Sequence, residues 1–232
     1  MARRIFANPL PPAGPTTLSA RLGHHLGRIA RIDVGDPLVL FDGMGHEATA
    51  TVAGQEGRDL QVLVHGPLLP PRGRSPLRAL DVAVALPKSP RTDWLLEHGT
   101  EAGIRSFRPI LTERTNRQPD RHAAWQRVLV AACAQCDRAL LPTIEPTVTL
   151  AELCALPLPA ARFVATVGEH ELGPSAAATT MLVVGPEGGF TASELEQLLA
   201  AGFLPRSLGP LTLRTETAVL AGAIRLLQAR PG

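Results

Sequence analysis

One stretch, Val183-Val-Gly-Pro-Glu-Gly-Gly-Phe-Thr-Ala-Ser-Glu194, restricts the fold more than any other part of the chain. An apolar run ends in a turn rich in glycine and proline. Thr191, with Glu194 three residues on, then has the spacing of a capping box that opens a helix. A buried strand running through such a turn into a helix is one unit of a parallel α/β sheet. Glycines at the carboxyl end of the strand let the backbone approach a ligand closely, and open α/β sheets bind ligands at that edge. A turn alone needs fewer glycines, so Gly185, Pro186, Glu187, Gly188 and Gly189 are read as a ligand wall.

The same alternation extends over the second part of the chain. Strands are predicted over 80–86, 106–111, 162–167, 181–184 and 203–208, and helices over 91–102, 120–135, 191–201 and 215–228. In the second helix Trp125, Val128, Leu129 and Ala132 share one face. This pattern implies a mainly parallel sheet covered on both faces. Residues 1–70 read differently. Three short strands over 37–41, 47–52 and 60–65, with one helix within 17–32, suggest a small barrel. The Pro- and Gly-dense run after Gly66 reads as a linker. The expected organisation is a β domain at 1–70, a linker at 71–76 and an α/β domain at 77–232.

No apolar run reaches the roughly 18 to 20 residues needed to span a membrane. The basic N-terminus lacks the apolar core of a signal peptide, and three cysteines do not make a disulfide framework. A cytoplasmic location is the expectation. Net charge is only +2, but it is unevenly distributed. Residues 1–32 carry Arg3, Arg4, Arg21, Arg28 and Arg31 and no acid; residues 104–127 carry six arginines against Glu113 and Asp120. Such patches on a near-neutral chain suit a phosphate-backbone binder. Arginine outnumbers lysine 22 to 1, a compositional bias in which Lys88 stands alone.

A second segment, Leu208-Gly-Pro-Leu-Thr-Leu-Arg-Thr-Glu-Thr-Ala218, repeats the strand–loop–helix logic. Thr215 and Thr217 suit helix capping. Arg214 opposes the dipole at the same helix start, which points to a role outside the fold. Gly43-Met-Gly45-His-Glu-Ala48 matches a dinucleotide fingerprint, but it precedes a strand rather than a helix and is read as a hairpin turn. Cys133-Ala-Gln-Cys136 lies near a helix end and is read as core. No metal is assigned.

Together these segments resemble the SPOUT superfamily of knotted methyltransferases. Within it they are similar to the family that methylates N3 of a uridine in small-subunit (16S) ribosomal RNA. The resemblance rests on His24-His-Leu-Gly-Arg-Ile-Ala-Arg31, Leu40-Phe-Asp-Gly43, Lys88, the Trp94 to Gly103 helix with Glu101, Glu113-Arg114, Gln135-Cys-Asp-Arg138 with Pro142, and the two loop segments above. Ala134 stands where that family usually has glutamate, and Gly27 and Ala30 replace bulkier residues. The resemblance implies a PUA-like barrel, a trefoil-knotted catalytic domain, homodimerisation and an active site drawing on both subunits. It implies S-adenosylmethionine as cofactor, held by three loops through Thr166, Gly185, Pro186, Glu187, Gly188, Gly189, Leu208, Gly209 and Leu213. It further implies 16S RNA, within the small ribosomal subunit, as the partner.

Uracil N3–H is a weakly acidic imide, so the site needs a base, or cations that stabilise the developing anion. Glu216 is the candidate base and Arg214 the candidate cation. Arg3, Arg4, His24, Arg28, Arg31 and Arg138 are the candidate RNA contacts. The rival readings are a related methyltransferase acting on another ribosomal or transfer RNA position, and a non-catalytic RNA-binding or ribosome-assembly protein.

Overall fold

In the computed structural model, residues 2–19, 32–57, 59–69, 78–115, 121–168 and 170–228 are described. The chain divides into two compact units, Met1–Ser75 with Arg127–Leu141, and Pro76–Gln126 with Pro142–Gly232.

The first unit is built on strands β1 (Arg3–Phe6), β2 (Gly14–Leu18), β3 (Pro37–Phe41), β4 (Glu47–Glu56) and β5 (Asp59–Pro67). They form one sheet in the order β1-β3-β4-β5-β2. The β1–β3 pair is parallel and the other pairs are antiparallel. Side-chain alternation follows from the two-residue period of a strand: Ala48, Ala50 and Val52 of β4 and Leu60, Val62 and Val64 of β5 turn inward. The Gly43–Gly45 segment turns β3 into β4, with φ of +78° and +100° at its glycines. Asp42 Oδ1 accepts hydrogen bonds there from the backbone N–H groups of Met44 (2.7 Å) and His46 (3.1 Å).

The helix expected within 17–32 requires a correction at its start. Thr17 and Leu18 pair with Gln61 and Leu60 as strand. Leu18 is buried in the sheet's core, so tertiary pairing overrides the helical spacing of the leucines. Residues 20–31 lie outside the described residues.

The second unit contains β6 (Ala79–Val84), α1 (Arg91–Glu101), β7 (Ser106–Leu111), β8 (Thr143–Ile144), β9 (Val148–Thr149), α3 (Leu150–Ala155), β10 (Ala161–Ala165), β11 (Thr179–Val184), α4 (Ala192–Ala200), β12 (Leu204–Arg206) and α5 (Thr215–Leu227). Helix α2 (His122–Gln135) precedes β8 in the chain. The sheet runs β12-β10-β11-β6-β7-β8, with β9 on β7, and every pairing is parallel.

A parallel sheet must be covered on both faces. On one face Ala83, Val164, Met181 and Val183 pack with Leu150 and Leu153 of α3 and Leu198 of α4. On the other, α5 packs against β6 and β11 and also against α1. That approach is close: a β-carbon at Gly222 would run into the Leu182 side chain. This layering brings the carboxyl ends of β10, β11 and β12 side by side at one edge.

Candidate active site

The three adjacent strand ends open a cavity of about 330 Å3. Thr166 and Val167 follow β10; Gly185, Pro186, Glu187, Gly189 and Phe190 follow β11; Leu208, Gly209, Leu211, Thr212 and Leu213 follow β12. Its volume falls in the range of roughly 300–1,000 Å3 typical of small-molecule sites. The walls are mostly apolar side chains and backbone.

Local chemistry holds each loop in place. The Gly189 N–H donates to the Pro186 carbonyl at 2.8 Å, closing the turn after β11, and Gly189 has φ +69°. A β-carbon at Gly185 would sit 2.9 Å from the Phe190 ring, so a side chain there would push the ring or the turn aside. Thr191 caps α4: its Oγ1 accepts from the Glu194 N–H at 3.3 Å, and Glu194 Oε2 accepts from the Thr191 N–H at 2.9 Å. The other oxygen of Glu194 accepts from the Glu113 N–H at 2.7 Å. In the loop after β12, Ser207 Oγ donates to the Gly209 carbonyl at 3.1 Å. Thr215 Oγ1 donates to the Gly185 carbonyl at 3.0 Å, joining the start of α5 to the loop after β11.

A second cavity, about 320 Å3, shares Pro186, Glu187 and Thr215 with the first. Lys88, Arg91 and Arg114 give it a cationic lining. The Arg91 guanidinium donates to Glu187 Oε1 and lies 4.0 Å from Glu216 Oε2. Its hydrogen bond to Glu187 pushes its already high pKa further up, and the Glu216 charge adds to this. A more open depression is lined by Arg91, Glu187, Thr212, Leu213 and Arg214. Glu187 and Arg91 therefore stand where these spaces meet.

Of the residues expected to hold the cofactor, all but Gly188 line the first cavity; Gly188 faces the second. Arg214 is the N-cap of α5, exposed and without a side-chain capping bond. Glu216 lies in the first turn of α5 and is only 7% exposed. Its Oε2 is sealed from solvent and has no hydrogen-bond partner. The same oxygen lies 4.0 Å from the Arg91 guanidinium, so this carboxylate faces a cation at the start of α5.

The expected RNA contacts separate. Arg3 is exposed. Arg4 is turned inward with a side chain only 4% exposed; it pairs with Glu47 at 2.5 Å, donates to the Arg138 carbonyl at 3.0 Å and lies over the Phe41 ring at 4.8 Å. Arg138 is 5% exposed, and burial lowers its pKa. Arg4 and Arg138 thus have their side chains held among protein partners, unlike the exposed Arg3. His24, Arg28 and Arg31 lie outside the described residues.

The sequence pointed to no role in the site for Arg91, Arg114 or Phe190. Arg114 stood in a noted basic run, whereas Arg91 carried no signal beyond opening a helix. Among the described residues no group of three His, Cys, Asp or Glu side chains could hold a metal ion. Burial pushes the Cys133 thiol up to about 12, which makes it an inert core group.

A family model described as an RNA methyltransferase domain matches residues 74–227. A ribosomal RNA small subunit methyltransferase E from Synechocystis is 32% identical over 94% of this chain and 75% of its own length. The chain belongs to this RNA methyltransferase family. A model of the RNA methyltransferase PUA domain matches residues 18–64 of the methyltransferase. The Mycobacterium bovis protein of the same name is 32% identical over 99% of this chain and 94% of its own. In three dimensions the methyltransferase is similar to a ribosomal RNA small subunit methyltransferase E from Neisseria gonorrhoeae bound to S-adenosyl methionine. That comparison gives a TM-score of 0.86 and 26% identity, covering 96% of this chain and 95% of the other. Among the described residues, no helix is long and apolar enough to cross a membrane.

Proposed function

We propose that this protein transfers a methyl group from S-adenosylmethionine to N3 of a uridine in 16S ribosomal RNA within the small ribosomal subunit. It acts in the cytoplasm as a homodimer, with a PUA-like RNA-binding domain at 1–70, a linker at 71–76 and a trefoil-knotted catalytic domain at 77–232. The observation that carries this reading is the cavity formed by the loops after β10, β11 and β12.

The residues present fit the cofactor. Leu208, Leu211 and Leu213 offer apolar walls to an adenine ring, and the glycine-rich turn after β11 offers close backbone approach. Thr166 and Glu187 supply polar groups for the ribose and the charged tail. When bound, the cofactor supplies an electrophilic methyl group on a sulfonium.

The remaining chemistry falls to the chain. Methylation at N3 requires loss of the imide proton, which leaves negative charge on O2 and O4. Arg214, exposed beside Thr212 and Leu213 at the rim, supplies an oriented cation for that charge. Glu216, in the first turn of α5 and 4.0 Å from the Arg91 guanidinium, is the group assigned to take the N3 proton. Arg3 contributes to the RNA grip, with His24, Arg28 and Arg31 assigned to the same role on sequence grounds.

The test is methyl transfer from labelled S-adenosylmethionine to small ribosomal subunits prepared from cells lacking the protein. Large subunits and transfer RNA serve as controls. Label confined to small-subunit RNA is expected. Label in transfer RNA alone would overturn the assignment in favour of another RNA target.

A further inference from the structure

The cavity beside the cofactor site has a composition that cofactor binding does not explain. Lys88, Arg91 and Arg114 converge on it, and one acid, Glu187, lines it. The nearby Glu216 faces Arg91, so three cations stand against two carboxylates. Arg91 meets both acids. Lys88 and Arg114 are left without a counter-ion among the described residues: Lys88 is exposed and unpaired, and Arg114 donates to the neutral Gly188 carbonyl. The only lysine of an otherwise arginine-based chain lies at this cavity.

We propose that this cavity is a phosphodiester subsite, in which Lys88 and Arg114 hold one backbone phosphate of the RNA next to the nucleotide being methylated. The proposal rests on the methyltransferase reading and extends it to residues with no role in cofactor binding. A compact ammonium and a planar guanidinium are complementary phosphate ligands, one a point charge and the other a fork of donors. The cavity shares Pro186, Glu187 and Thr215 with the cofactor site, so a phosphate held in it places an adjacent base beside the reacting edge. Arg91, tied to Glu187, keeps the shared wall close to neutral and leaves the phosphate to the two unpaired cations.

Binding of single-stranded oligouridylate to the full chain, measured by fluorescence anisotropy across a series of salt concentrations, tests this directly. Single-strand affinity falls with salt on a logarithmic slope of about −0.7 per phosphate neutralised. Lys88→Gln and Arg114→Gln should each flatten that slope by part of the roughly 0.7 that one phosphate contributes, and weaken binding severalfold at low salt. Lys88→Arg should restore the slope. Calorimetric affinity for S-adenosylmethionine should stay at the wild-type value in all three variants. An unchanged slope in the glutamine variants overturns the subsite, as does a loss of cofactor affinity, which would assign the cations to the cofactor instead. A wild-type chain that binds oligouridylate with this slope yet transfers no methyl group to small subunits would refute the proposed function and leave the phosphate site standing.

Discussion

Thr215 Oγ1 donates to the Gly185 carbonyl at 3.0 Å, so the first turn of α5 is bonded to the loop that walls the cavity at the ends of β10, β11 and β12. Thr215 is only 3% exposed, and this contact is sheltered from water. Thr215→Val keeps the side-chain shape and removes the donor. It should cost about 1 kcal/mol of stability by urea unfolding and weaken S-adenosylmethionine binding severalfold by calorimetry. Loss of stability with unchanged cofactor affinity would separate this bond from the site.

Gly185 and Gly188, in the same turn, should respond differently. A β-carbon at Gly185 meets the Phe190 ring at 2.9 Å, within the wall of the cavity proposed to hold the cofactor. At Gly188 it meets Arg114 Cδ at 3.2 Å, on a flexible side chain facing the other cavity. Gly185→Ala should lower cofactor affinity by at least tenfold, and Gly188→Ala should leave it within about twofold. Circular dichroism should show both variants folded. Equal losses in the two would mean that both glycines face the cofactor.

Arg4 and Glu47 form an ion pair with side chains 4% and 0% exposed. Removing one partner leaves a buried charge uncompensated, at a cost of about 3–5 kcal/mol. Arg4→Ala should therefore lower the melting temperature sharply. Arg4→Met with Glu47→Leu should recover much of the loss, because the pair's own net contribution is small. RNA affinity of the double variant should match wild type; a selective loss of RNA binding would return Arg4 to the interface.

Arg214 is exposed at the N-cap of α5, where a cation gains nothing from the helix dipole. Arg214→Lys should cut single-turnover methylation by about a hundredfold, the scale of losing one oriented donor. Melting temperature and cofactor affinity should hardly change. A wild-type rate would remove Arg214 from the chemistry.

The α/β part was readable because its signals are local. Long apolar strands, a capping box at Thr191 and glycines at strand ends each follow from a few neighbouring residues. Elements that depend on distant partners were not readable. β1 presents Arg3 and Arg4, and only its pairing with β3 and the contact to Glu47 make it a strand. Leu18 joins a sheet against the helical spacing of its neighbours. β8 and β9 have two residues each and exist through their pairing with β7.

The site divides along the same line. Glycine-rich loops announce themselves in sequence, whereas burial does not. Nothing in the sequence distinguishes the buried Arg4 and Arg138 from the exposed Arg214, or shows that Arg91 lies between Glu187 and Glu216.

Uridine N3 as the acceptor is tested most directly by mass-spectrometric mapping of nucleosides in small-subunit RNA. Subunits from cells lacking the protein are analysed before and after incubation with purified protein and S-adenosylmethionine. One 16S fragment should gain a single 3-methyluridine, and only after incubation. Methylation at a ribose oxygen or at another base atom, or a 3-methyluridine already present before incubation, would contradict the assignment.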